Sequence, residues 1–378
     1  MTETINESSE VIKNSDRAMK TVILYEALQK KPIFGSYRRF CKLVGNDTID
    51  YPDFEFWYYR FYRGKTGFDY DRNADPVPKT LMDMPVSLMF KITDNLDTVE
   101  KTKLRTVNKS LKDVVDSHAL GFQKINIIGS DDYLNWELND KKFSCYKKEN
   151  GCVFSTPTKR IKSYKGFIKK SLEYLTPLFK TPKIQVNHLS LTVLDQMPAL
   201  DDLLPAPFHV KSVKLYAFNM NQVFPFLSAL NPGELESINL EAIEALSRDQ
   251  ISRILETEQF KQAKHVQWKI GLNENDLLKF SHLESFKCDL TYLEPVDFQR
   301  VREIISTFEV LESCELIFYG DFDRFCIRIV ARALEAEIPF GPLKTIKHLY
   351  QIPESNEYLE FEIVDDEYYC TMKIRKIR

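Results

Sequence analysis

The chain has 378 residues, of which 43% are hydrophobic, 12% aromatic and 28% charged, and its net charge is −3. That much apolar content supports a sizeable core and excludes general disorder, while the near balance of charge excludes a chain built as a whole to grip nucleic acid. No apolar run approaches the roughly 18 residues of a membrane span, so none is expected.

The first residues, MTETINESSE, are polar and acidic and lack the basic start and apolar stretch of a signal peptide. Residues 1–19 are expected to be a disordered tail. A module over 20–72 follows, with three predicted helices. Ile23, Leu24, Ala27 and Leu28 mark the first, ended by Pro32, and Tyr37, Phe40, Cys41 and Val44 the second, stopped by Gly45. Phe54, Trp57, Tyr58, Phe61 and Tyr62 mark the third, stopped by Gly64, and this aromatic stripe reads as core. The module holds ten Lys and Arg against seven Asp and Glu, a weak footprint for a DNA reader. Prolines then mark a linker at 73–80.

Residues 81–118 are predicted to form short helices. Pro85 suits a helix start, Leu88 and Ile92 lie one turn apart, and Asp97 with Glu100 spells a capping box. Leu104, Val107, Leu111, Val114 and Val115 continue an apolar stripe. So short a piece buries little core alone and must borrow burial from a partner or from what lies behind it.

Beyond 119 the chain is strand-rich. FQKINII at 122–128 and a hairpin turning at KENG within 141–155 precede six related segments, starting at Val186, Val210, Leu235, Ala263, Leu283 and Leu311. Three of them open on LES. Their starts lie 24, 25, 28, 20 and 28 residues apart, within the period of about 20–29 residues of leucine-rich repeats. Positions 4, 6 and 8 are apolar throughout, and positions 3, 5 and 7 are polar except at Tyr216 and Ile317, which is the alternation of strands with one buried face. Helical patterns at 247–260, capped by Ser247, and at 295–308, opening on Pro295, predict parallel strands joined by helices. The expected fold class is therefore α/β: a small helical module, three short helices, then an irregular leucine-rich-repeat-like solenoid with parallel strands. An ordinary α/β domain is the alternative. YLEFEIVDDEYYCTMKI at 358–374 reads as a closing hairpin, capping the array.

Catalytic signatures are missing. The six histidines show no zinc-ligand spacing, and no P-loop, dinucleotide fingerprint or nucleophile elbow is present, so no metal, cofactor or catalytic residue is expected. Asp131-Asp132 and Asp365-Asp366 read as hairpin turns. Seven scattered cysteines without a CxxC fit a reducing, intracellular compartment, cytoplasmic or nuclear.

The Pro-led opening, the spaced aliphatics and VEKTKLRTVNKSLKDVVD at 81–118 resemble an F-box, with Met84 in place of the usual Leu and Leu111 near the usual Trp. FQKINII, KKFSCYKKENGCVF, the LES strands and the final hairpin resemble the FTH domain of the nematode F-box A family, here 119–378. Residues 20–72 resemble the mariner-transposase-type helix-turn-helix that some members carry. The resemblance implies a non-catalytic substrate receptor of an SCF-type cullin–RING ubiquitin ligase. Pro85, Leu88, Ile92, Leu104, Val107 and Leu111 would contact or position a Skp-type adaptor that joins it to the cullin. A target protein of unknown identity would meet the outward strand positions, represented by Lys214, Tyr216, Asn239, Glu241, Gln267, Lys269, Lys287 and Asp289. The alternative is a nucleic-acid-binding regulator acting through 20–72.

Overall fold

The computed structural model describes residues 10–45, 47–71, 83–195, 203–205, 207–218, 223–244, 246–290, 296–318, 326–341, 344–366 and 369–378. They fall into two compact units, Met1–Asp83 and Met84–Arg378. The linker expected at 73–80 lies outside the described residues.

In the first unit α1 (Asp16–Leu28), α2 (Ile33–Val44) and α3 (Tyr51–Tyr62) surround Ile23, Phe40, Phe54, Trp57, Tyr58 and Phe61, all buried. The helix ends follow the sequence signals: Gly45 and Gly64 sit at positive φ just past α2 and α3. One boundary differs. Ser15 accepts a bond from Ala18 N and caps α1 at Asp16, so helix begins inside the segment expected as a tail, of which 1–9 lie outside the described residues.

The second unit opens with α4 (Val86–Asp94), α5 (Thr98–Arg105) and α6 (Lys109–Asp116). The stripe from Leu104 to Val115 is broken, because Asn108 accepts from Leu111 N and starts a new helix. A sheet of fourteen strands follows. Their ranges are β1 Leu120–Ser130, β2 Tyr133–Leu138, β3 Lys141–Lys148, β4 Gly151–Ser155, β5 Arg160–Ser163, β6 Ile184–Val193, β7 Val210–Ala217, β8 Ser237–Ala242, β9 His265–Leu272, β10 Ser285–Leu290, β11 Ser313–Phe318, β12 Thr345–Gln351, β13 Tyr358–Asp365 and β14 Cys370–Ile377. Their spatial order is β12-β13-β14-β11-β10-β9-β8-β7-β6-β1-β2-β3-β4-β5. The middle seven, β1 and β6 to β11, are all parallel neighbours, and β6 to β11 lie side by side in chain order. Antiparallel strands extend both ends, β2 to β5 at one and β14, β13 and β12 at the other.

The helices α7 (Phe167–Phe179), α8 (Val223–Ala229), α9 (Arg248–Leu255), α10 (Glu258–Gln262), α11 (Phe298–Ser306) and α12 (Cys326–Ala333) share one core with the apolar sheet face. Leu175, Leu227, Ile254, Val301 and Val330 meet Ile127, Leu191, Leu215, Leu240, Trp268, Cys288 and Leu316 there. The helix expected over 247–260 is two, because Thr257 caps α10 after Ser247 and Gln250 have boxed α9. Asp297 caps α11 at Phe298, three residues later than expected; Pro295 lies outside the described residues.

The LES phrase now has a physical reading. Leu235, Leu283 and Leu311 are buried to 2% exposure or less ahead of β8, β10 and β11. The following Glu opens the ladder through its backbone: Glu284 N donates to Lys264 O at 2.9 Å and Glu312 N to Glu284 O at 2.8 Å. Serine is the first strand residue. The KENG hairpin requires its glycine, since Gly151 has φ +124° and a Cβ there would stand 2.0 Å from Ser163 O. The two edge strands are basic, with Arg160 and Lys162 on β5 and Lys347 on β12 all exposed.

Candidate functional site

Two surfaces of the second unit present the candidate residues. The first belongs to α4–α6. Pro85 caps α4, and the expected capping box of Asp97 and Glu100 starts α5. Arg105 reaches Asp116 through paired bonds of 2.5 and 3.1 Å, tying α5 to α6. Met89, Leu111 and Val114 form a small buried core with Met84, Phe90 and Leu104 against it. The helices are fixed to the sheet: Val99 enters the main core, Thr98 Oγ1 donates to Gly121 O at 2.8 Å, and Lys141 Nζ donates to Asp97. Burial works against the Asp97 carboxylate, but Lys141 and the Glu100 backbone N–H hold its pKa below the usual value.

The six expected adaptor residues therefore divide. Pro85 is exposed, as are Leu88 and Ile92 at 45% each and Val107 at 65%; Val86, not among the candidates, is 57% exposed. Leu104 is half-buried. Leu111 is 3% exposed, packed with Met89 and Val114 in the core that joins α4 to α6. Val86 was visible in sequence only as one more aliphatic beside Pro85.

The second surface is the sheet face opposite the helices. Cross-strand register turns the outward strand positions into continuous rows. His188, Ser212, Ser237, His265, Ser285 and Ser313 are successive partners, and so are Ser190, Lys214, Asn239, Gln267, Lys287 and Glu315. The rows are knitted by side chains. Asn239 Nδ2 donates to Gln267 Oε1 at 2.8 Å, Lys269 Nζ to Glu241 Oε2 at 3.3 Å and Lys287 Nζ to Glu315 Oε1 at 2.7 Å, while His265 Nδ1 lies 2.8 Å from Ser285 Oγ. Lys214 is exposed and Tyr216 half-buried beside Glu241. Asn239 and Asp289 each have an Oδ1 that is buried without a hydrogen-bond donor, and of the two only Asp289 is ionisable; burial raises its pKa, against the pull of Lys269 and Lys287.

The rows run beyond the six segments. β14 pairs with β11 so that Arg375 faces Ser313 and Lys373 faces Glu315, and β13 adds Glu360 and Glu362 beyond. A trough floored by Ser237, Ser285 and Ser313 is walled by Lys287, Glu315 and these four residues. The alternation of Lys373 and Arg375 with Met372 and Ile374 was the available signal.

The first unit keeps much of its basic charge to itself. Arg39 grips Glu26 in a two-point ion pair. Lys20 Nζ sits 4.0 Å from the Trp57 ring centroid and bonds Asp16 and Phe68 O, and Arg60 stacks 3.8 Å from the Tyr70 ring. The third helix, which enters the groove in helix-turn-helix proteins, shows Tyr59 and Tyr62 exposed and Asp53 and Glu55 half-exposed.

Among the described residues no cluster of three or more His, Cys, Asp or Glu could hold a metal ion, and no helix is long and apolar enough to cross a membrane. Family models match three parts of the chain: the HTH domain in Mos1 transposase over 17–65, the F-box domain over 81–123 and the FTH domain over 197–336. F-box A protein 224 of Caenorhabditis elegans is 27% identical over 329 residues, covering 80% of this chain and 83% of that protein. No solved structure matches. With a Mos1-type helix-turn-helix, an F-box and an FTH domain in that order, the chain resembles the nematode F-box A proteins along most of its length.

Proposed function

We propose that this chain is the substrate receptor of an SCF-type ubiquitin ligase, docking a Skp-type adaptor, and through it a cullin, on α4–α6 and a target protein on the open sheet face. The observation that carries the reading is the state of the F-box segment: its own small core is filled, yet Val86, Leu88, Ile92 and Val107 remain exposed on so short a piece. Exposed aliphatics on one small module fit a surface that is covered in a complex. No catalytic residue enters. The receptor acts by proximity, holding a target where ubiquitin transfer takes place at high effective concentration. We read the in-order parallel strands β6 to β11 as a leucine-rich-repeat-like array, whose outward rows form one extended surface.

Replacing Leu88 and Ile92 with Asp tests this directly. Both side chains are already near half-exposed, so the variant folds, while an apolar contact made by them cannot tolerate two charges. The expected result is loss of adaptor and cullin from affinity-purified material; equal recovery from wild type and variant sinks the ligase reading. The match over 17–65 favours a second reading, a DNA-binding regulator, and salt-sensitive, sequence-selective retention of duplex DNA by the full chain would promote it.

A further inference from the structure

We infer that the target is recognised through a basic side chain, arginine or lysine, seated on Asp289 of β10 on the open sheet face. The inference rests on the receptor reading above and adds the chemistry of what that face takes.

Asp289 stands on β10 opposite an irregularity in β9. Cys288 pairs with Trp268 and Leu290 with Leu272, so the single Asp289 faces three residues, Lys269, Ile270 and Gly271. Such bulges interrupt regular pairing and re-aim a side chain, and they gather next to functional sites. The two nearest cations do not satisfy the carboxylate. Lys269 Nζ donates to Glu241 Oε2 at 3.3 Å and Lys287 Nζ donates to Glu315 Oε1 at 2.7 Å. The five charged groups Glu241, Lys269, Asp289, Lys287 and Glu315 sum to −1, and the surplus charge sits on the one member whose Oδ1 is buried without a donor.

A buried acceptor without a donor is costly, and more so when ionised. Nothing in the fold calls for it, because an Asn or Ser at this outward position would keep the alternation and the core. A cationic donor from outside corrects both defects together, supplying the missing hydrogen bond and cancelling the excess charge. A guanidinium does so with paired bonds. The adjoining trough, floored by Ser237, Ser285 and Ser313, leaves room for the backbone of the segment that carries it.

The test pans the immobilised full chain against a random peptide library. Wild type is expected to enrich peptides with Arg or Lys at one fixed position by about tenfold over the naive library, a preference worth ~1.4 kcal/mol. Asp289→Asn should abolish that preference, and Asp289→Lys should replace it with one for Asp or Glu. The Asn variant should be no less stable than wild type in thermal unfolding. If it melts several degrees lower, Asp289 is structural and the inference is overturned. Peptides retained by wild type with no basic preference, or with a preference unchanged in both variants, overturn it while leaving the receptor reading intact. If no peptide is retained, or those retained are indifferent to Lys214→Ala and Tyr216→Ala, the sheet face is not the recognition surface, and both readings of it fall.

Discussion

Three neighbouring residues of one phrase, Leu283, Glu284 and Ser285, should respond to alanine very differently. Leu283 is 0% exposed in the main core and its backbone N–H donates to Phe280 O, the residue whose ring packs on Phe260 at 5.3 Å and on Phe286 at 5.1 Å, with Trp268 at 6.3 Å. Rings held edge to face collapse poorly into a cavity, so Leu283→Ala belongs in the upper half of the usual range for a buried leucine, about 4 kcal/mol. Glu284 has an ion pair with Lys264 at 3.5 Å between two well-exposed side chains, which is worth a few tenths of a kcal/mol at most after solvent screening. Ser285→Ala loses the bond to His265 on an open face, at a cost of about 0.5 kcal/mol. Urea unfolding of the full chain reads all three. In a Trp57→Phe background the remaining tryptophans, Trp136 and Trp268, both report on the sheet. Since total stabilities run to ~5–15 kcal/mol, the first change should move the midpoint far more than the other two. If Leu283→Ala shifts it no further than Ser285→Ala, the leucine does not anchor the start of β10 and the account of the phrase is wrong.

Changing Lys214, Tyr216, Lys269 and Lys287 together to Ala should cost about 1–3 kcal/mol, because it strands Glu241 and Glu315. Lys214→Ala with Tyr216→Ala should cost under about 1 kcal/mol, and equal midpoints for the two variants in urea would contradict the pairing. The lowered pKa of Asp97 gives the helices α4–α6 a pH dependence: the carboxylate contributes stability above its unfolded value of 3.8, and this is lost as pH falls through the lower folded value. Unfolding midpoints measured between neutral pH and about pH 2 should therefore fall more steeply for wild type than for Asp97→Asn, and parallel curves would count against the Lys141 anchor. In a salt titration the full chain should hold duplex DNA weakly and without sequence preference, given the internal use of Lys20, Arg39 and Arg60.

The parallel part of the sheet was legible down to its register. Positions 3 and 5 of the six segments are register partners in space, because a two-residue alternation around one buried face allows no slip. What escaped was long-range. The terminal hairpin sits at the end of the parallel run, but which of its strands meets β11 is not in the local pattern: it is β14, antiparallel, so Lys373 and Arg375 lengthen the polar rows. Local pattern carries no information on which edge a distant strand will choose. The fate of Leu111 was hidden for a related reason: helix period shows that residues share a face, and only the packing of α4 on α6 decides that this face looks inward. The pairing of Lys269 with Glu241 and of Lys287 with Glu315, which isolates Asp289, needed the strand order and could not be read from any one segment.

An array of parallel strands has no natural last member, and each free edge is an invitation to another copy. Here the outermost strands carry cations: Arg160 and Lys162 line one edge, and Lys347 on the other is ion-paired with Glu362 at 3.2 Å. Joining of two β5 edges would bring like charges together. That edge thereby resists pairing with a second copy, so the sheet, fourteen strands among the described residues, does not grow into filaments through it.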